Sequence, residues 1–188
     1  MRRGAVISVP GLGYTSMARC SPRFIGELFY YSPRGVTHFP PPRTPDEAWR
    51  RMFGGLPGIL GRMHVEMVPV NPPGDADVSL DDELRSVELG VSGALGRALP
   101  VASVNYLARK TSPPTCDEVR LVDDSLARIF GSLDEYMILS PFGDRQDHDF
   151  EEYGIYLSSV ERPGHEEVIE PEQVAELVAE LAARMAHG

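Results

Sequence analysis

Cysteine is scarce in this chain, with two among 188 residues. Cys20 and Cys116 cannot make a disulfide framework or, on their own, a zinc cage. In a reducing compartment the two are expected to stay as thiols, with one long-range bridge as the alternative. Lysine is scarcer still: of the 18 basic residues only Lys110 is a lysine, and no function follows from that skew. A basic surplus is also missing, because 28 acidic side chains outnumber the basic ones and leave a net charge of −10. Without a positive field to gather phosphates, a generic nucleic-acid or anionic-membrane binder is not expected. No apolar run approaches the roughly 18–20 residues of a membrane span. The opening Met1-Arg2-Arg3 and Gly4-Ala5-Val6-Ile7-Ser8-Val9 superficially resembles a leader peptide. Its apolar stretch is short, however, and Pro10-Gly11 ends it without a small-residue cleavage site, so a cytoplasmic protein is expected.

What is present is ordinary globular composition, 42% hydrophobic and 24% charged, in a length suited to one domain over residues 1–188. Short β-branched runs alternate with helical patterns. Strands are predicted at Ala5–Val9, Val65–Val70, Val101–Tyr106, Tyr136–Ser140 and Tyr153–Ser159. Helices are predicted over Arg19–Tyr30, from Thr44 to Gly54, over Leu80–Leu99, from Thr115 to Gly131, and over Pro171–His187. Two of these carry start signals. Thr44-Pro45-Asp46-Glu47 places a capping threonine, a first-turn proline and a glutamate three residues on, and Thr115-Cys116-Asp117-Glu118 is a second capping box. The interleaving predicts an α/β fold, a doubly wound, mostly parallel sheet with helices on both faces. Ligands of such sheets sit beyond the carboxyl ends of the strands, so the segments after Val9, Tyr106 and Ser140, and the loop carrying Thr44, are the ones to read for chemistry.

Several of those segments line up with one family. Val6-Ile7-Ser8-Val9-Pro10-Gly11-Leu12-Gly13-Tyr14 ends a first strand. Pro40-Pro41-Pro42-Arg43-Thr44-Pro45 presents a threonine at a helix start, and Gly54, Pro57 and Gly61 follow. Helix Asp117–Leu126 precedes a last strand ending in Met137-Ile138-Leu139-Ser140-Pro141-Phe142-Gly143. This order resembles the alkaline phosphatase superfamily, especially its nucleotide pyrophosphatase/phosphodiesterase branch, and implies an alkaline-phosphatase-like core. The resemblance also implies a nucleophile at Thr44 and two divalent cations held by Asp and His. Here the sequence departs from the family. Pro10 stands where the first Asp is expected, and Pro141-Phe142 stand where Asp-His is expected. The stretch Leu107–Pro114 supplies neither carboxylate nor imidazole for the middle pair. Proline and phenylalanine side chains have no lone pair to give a metal, so a two-zinc site cannot be assembled from these positions.

Two readings therefore stand. In the first, the chain is a non-catalytic, degenerate phosphatase-like domain that binds or assembles, with a protein partner, a second copy of itself or a small anionic ligand as its target, and no cofactor. A second copy would suit the apolar Phe29-Tyr30-Tyr31 patch. In the second, it is a phosphoester or phosphodiester hydrolase with Thr44 as nucleophile and one divalent ion (Zn, Mn or Mg) on His148 with Asp144, Asp147 or Asp149. Each residue also has a plainer role. Thr44 caps a helix, Gly11 and Gly13 make a strand-to-helix turn rather than a phosphate cradle, Arg43 is a loop arginine rather than an anion ligand, and Asp144–Asp149 is a solvated acidic loop. His38 and His64 flank the Thr44 region as acid–base candidates, while His165 and His187 read as surface residues.

Overall fold

The computed structural model describes residues 2–161 and 168–188, so the reading of His165 falls outside the described residues. Strands β1 (Gly4–Ser8), β2 (Arg34–His38), β3 (Met67–Val70), β4 (Leu99–Ser103), β5 (Glu135–Leu139), β6 (Tyr153–Ser158) and β7 (Val168–Ile169) form one sheet in the order β3-β4-β1-β5-β6-β2-β7. Strands β3, β4, β1 and β5 are parallel neighbours. Strand β6 runs antiparallel to both β5 and β2, and β7 pairs parallel with β2. The sheet is thus mixed, with β6 as its single reversed strand.

Helices cover both faces. On one lie α1 (Tyr14–Cys20), α2 (Arg23–Tyr31), α5 (Leu80–Ala94) and α7 (Cys116–Phe130); on the other lie α3 (Pro45–Phe53), α4 (Leu56–Arg62) and α8 (Pro171–His187). The short helix α6 (Tyr106–Arg109) follows β4. Side-chain alternation along the central strand explains the two layers. Ala5, Ile7 and Val9 enter one hydrophobic cluster with Val122, Leu126 and Leu84, while Val6 enters the other with Phe53, Leu177 and Leu181. All five β1 residues are buried, as expected of a central strand covered on both sides.

The observed elements depart from the predicted ones in identifiable places. The single helix predicted over Arg19–Tyr30 is two, because Ser21 takes a left-handed conformation (φ 46°) and Pro22 caps the next helix. The helix predicted over Leu80–Leu99 ends at Ala94, and Gly96 turns at φ +81° into β4, so the strand begins before Val101 and ends before Tyr106. Strand β2 occupies a stretch expected as a loop, α6 begins at Tyr106 where a strand is expected to end, and no element is predicted at α4 or β7. The two cysteines, expected as thiols, are joined: Cys20 at the end of α1 and Cys116 at the start of α7 form a disulfide spanning 96 residues of sequence. Packing of α1 against α7 brings those two helix ends together, which no local pattern announces. Among the described residues, no helix is long and apolar enough to cross a membrane.

Candidate functional site

The carboxyl ends of β1, β4 and β5 meet at one edge of the sheet, and the loops that follow fill the space between them. After β1, the Val9 N–H donates to the Leu139 carbonyl (2.8 Å) and the Gly11 N–H to the Phe142 carbonyl (3.2 Å). Gly11 adopts φ +88°, and a Cβ there would meet the backbone of Leu107 and Ala108 at 3.1 Å. The turn is therefore buried under α6 rather than open to a ligand. Gly13 lies equally close to its neighbours: a Cβ would fall 2.7 Å from the Asp144 amide nitrogen.

Asp144 occupies the start of α1. Its Oδ1 accepts from the Gly13 N–H at 2.7 Å and its Oδ2 from the Ser16 hydroxyl at 2.5 Å. A carboxylate of the chain itself thus satisfies the donors that a phosphate would need. Burial pushes the Asp144 carboxyl above its ordinary value; the hydrogen bonds from Ser16 and Gly13 pull it back, and the neighbouring Glu151 charge adds to the rise. Glu151 in turn accepts from Thr15 Oγ1 (2.6 Å) and from the Asp144 N–H (3.3 Å).

Thr44 holds the start of α3, with its Oγ1 accepting from the Glu47 N–H at 3.2 Å and Pro45 in the first turn. It is exposed. Beside it, Arg43 is largely covered and spent on internal ties. Its Nε donates to the Phe39 carbonyl (2.7 Å), its Nη1 to Asp149 Oδ2 (2.6 Å), and Glu152 stands 3.8 Å from Nη2. Phe39 and Phe150 both pack on Phe142, at ring-centroid distances of 5.8 and 4.6 Å. Phe142 is fully buried, and Ser140 Oγ donates to its carbonyl at 2.6 Å.

The four residues considered for a metal do not share one place. Asp144 is buried under α1, Asp149 is drawn to Arg43, and Asp147 and His148 are exposed on the loop between them. Among the described residues, no group of three or more His, Cys, Asp or Glu side chains is arranged to hold a metal ion. The positions where the family resemblance would place metal ligands do not fit such ions either, since Pro10 and Phe142 are core residues here. His38 points elsewhere, its Nδ1 3.1 Å from the Glu170 carboxylate.

Two open clefts flank Thr44. One, of about 590 Å³, lies beyond the ends of β3 and β4 and is lined by Pro45, Asp46, Asp77, Asn105, Arg109 and Lys110 among others. The other, of about 540 Å³, is bordered by Tyr14, Arg43, Asp149, Glu152 and Tyr153. The wall of the first is set by Glu83, a 2% exposed residue in the first turn of α5. Its Oε1 accepts from the backbone N–H groups of Asn105 and Tyr106, and its Oε2 pairs with Arg109. Asn105 is fixed further by Ser103, whose hydroxyl donates to Asn105 Oδ1 (2.5 Å), and Asn71 Nδ2 donates to the Ser103 carbonyl (2.8 Å). Lys110 is paired with Glu118 at 2.5 Å. None of Glu83, Asn71 and Asn105 is marked by the sequence, because each has hydrogen-bond partners 22 or more residues away. The nearest signal was the acidic first turn Asp81-Asp82-Glu83, which reads simply as helix-dipole complement.

No protein-family model matches this chain, and no curated protein matches it in sequence.

Proposed function

We propose that the chain is a non-catalytic, phosphatase/phosphodiesterase-like binding domain, which receives a small polar ligand on the carboxyl edge of its sheet, in the cleft between Pro45 and Arg109. The observation that carries this reading is the state of Phe142. In the arrangement the sequence resembles, that position belongs to a metal-binding His; here it is a fully buried ring between Phe39 and Phe150. Two further features support the resemblance itself. The segments after β1 and β5 are hydrogen-bonded to each other through Gly11 and Phe142. The Thr44 loop meets the segment after β5, through Phe39 on Phe142 and Arg43 on Asp149. These contacts support the reading that positions the resemblance assigns to one site serve here as core and caps.

Arg43, Gly11 and Gly13, the first choices for an anion, are consumed by Asp149, Phe142 and Asp144. The ligand is assigned instead to the wider cleft of about 590 Å³, whose lining includes Asp46, Asp77, Asn105, Arg109 and Lys110, with Arg109 and Lys110 also held by Glu83 and Glu118. The test is hydrolysis of p-nitrophenyl phosphate and bis-p-nitrophenyl phosphate by purified protein with Zn²⁺, Mn²⁺ or Mg²⁺. The expected result is no turnover above the metal-only control, and no difference between wild type and Thr44→Ala. Turnover that vanishes in both Thr44→Ala and His148→Ala overturns the reading in favour of a hydrolase with a single metal ion.

A further inference from the structure

The disulfide between Cys20 and Cys116 is placed where small thiols can reach it. Cys116 is exposed and is the first residue of α7, a 15-residue helix; Cys20 is half-buried at the last position of α1. The two sulfurs therefore differ in access and in electrostatics. The free N–H groups and dipole at a helix start favour a thiolate, whereas a helix end disfavours one. The acidic residues following Cys116 do not cancel this, since Asp117 pairs with Arg120 at 3.0 Å and Glu118 with Lys110 at 2.5 Å. Arg19 bonds the Pro114 carbonyl, so α1 and the segment before α7 are tied by more than sulfur. Helices α1 and α7 also pack on each other, and Met17 and Val119 belong to the same buried cluster, so their association does not depend on the bridge alone.

We propose that Cys20–Cys116 is a thiol–disulfide exchange site for low-molecular-weight thiols, with Cys116 as the exchanging sulfur and Cys20 as the resolving one. The proposal stands apart from the ligand-binding reading above. In the reducing direction access outweighs leaving-group electrostatics, since the end of α1 disfavours the departing Cys20 thiolate: a small thiolate attacks the exposed Cys116 Sγ, and a mixed disulfide forms. The Cys116–Cys20 bond breaks, its electron pair leaves on Cys20 Sγ, and that sulfur takes a proton from water. A second small thiolate attacks the outer sulfur of the mixed disulfide. It releases Cys116 as a thiolate and yields the small-molecule disulfide, so two electrons pass from two thiols to the protein. In the oxidising direction the Cys116 thiolate attacks a small disulfide, and Cys20 displaces the small thiol.

The experiment uses the full chain with glutathione as probe, read by intact-protein mass and peptide mapping. With oxidised glutathione, Cys20→Ser is expected to gain one glutathione at Cys116 at least tenfold faster than Cys116→Ser gains one at Cys20. Equal rates, or faster reaction at Cys20, overturn the assignment. The wild-type protein supplies an independent measurement should either variant fold poorly. Reduced glutathione is expected to open the bridge at a rate unchanged by low, non-denaturing urea, with the transient mixed disulfide mapped to Cys116. Opening that proceeds only as the protein unfolds, or a mixed disulfide mapped to Cys20, refutes the proposal.

Discussion

Replacing Glu83 by alanine removes three interactions at once at the wall of the wider cleft. The backbone N–H groups of Asn105 and Tyr106 lose the Oε1 acceptor, and Arg109 loses Oε2. A backbone donor left without a partner in a buried place costs about 1–3 kcal/mol, and Asn105 is 2% exposed. The Arg109 side chain keeps 28% of its exposure, so water compensates much of the lost ion pair and its share is discounted. The sum is a loss of about 4 kcal/mol for Glu83→Ala. For a chain of this length the unfolding entropy is about 0.4 kcal/mol/K near the midpoint, so that loss lowers Tm by roughly 10 °C. Glu83→Gln separates the parts. Its one carbonyl oxygen can still accept from both backbone groups, but its amide presents N–H to Arg109, so about half the loss remains. Urea unfolding followed by circular dichroism gives the free energies, and amide hydrogen exchange at Asn105 and Tyr106 reports the local bonds. A loss under about 1 kcal/mol for Glu83→Ala refutes the assignment of Glu83 as the anchor of α6, as does unchanged exchange at both amides.

Three other outcomes follow from the geometry. Thr44→Ala removes the cap of α3 and is expected to lower stability by about 1 kcal/mol, measured by urea unfolding, with Thr44→Ser near wild type. Asp144 binds its proton more tightly in the native chain than in the unfolded one. Its contribution is thus full below the ordinary aspartate value of 3.8 and is lost as pH rises through the higher native value. The stability difference between wild type and Asp144→Asn is then expected to move in favour of the variant as pH is raised from about 3.5 to about 6.5; a difference flat across that window refutes the account. The Cys20–Cys116 crosslink closes a long loop, 96 residues apart in sequence. The chain-entropy model gives it about 4.7 kcal/mol, so the double serine variant is expected to melt roughly 12 °C lower, by calorimetry.

Where the sequence could be read, the signal was local. Pro171–His187 is a helix with the boundaries its apolar stripe predicts, since Val174, Leu177, Val178 and Leu181 recur at helical spacing. The caps at Thr44 and Thr115 form as predicted because a cap involves only four consecutive residues. Strand β2 was missed for the converse reason. Its inward residues are Gly35 and Thr37, and the strand is held by backbone pairing with β6 and β7 rather than by an apolar alternation. Helix α4 carries Pro57, Gly58 and Gly61, which weaken helical preference. It forms because Leu56 and Leu60 are buried in the cluster that includes α8.

The candidate site divides along the same line. The residue types at Pro10, Phe142, Thr44 and the Asp144–Asp149 loop are written in the chain, and with them the lack of metal-binding side chains where the resemblance calls for them. The assignment of Asp144 to the start of α1 rests on partners 128 and 131 residues away, and that of Arg43 to Asp149 on one 106 away. Glu83 becomes the anchor of the cleft wall, and Cys20 becomes the partner of Cys116, in the same manner. Sequence by itself determined composition, periodicity, caps and the α/β class, because these depend on neighbours along the chain. Only tertiary structure decided which carboxylate meets which donor, which cysteines join and where the clefts open. Those pairings are set by packing elements against a shared sheet, and side chains distant in sequence have no other way to find each other.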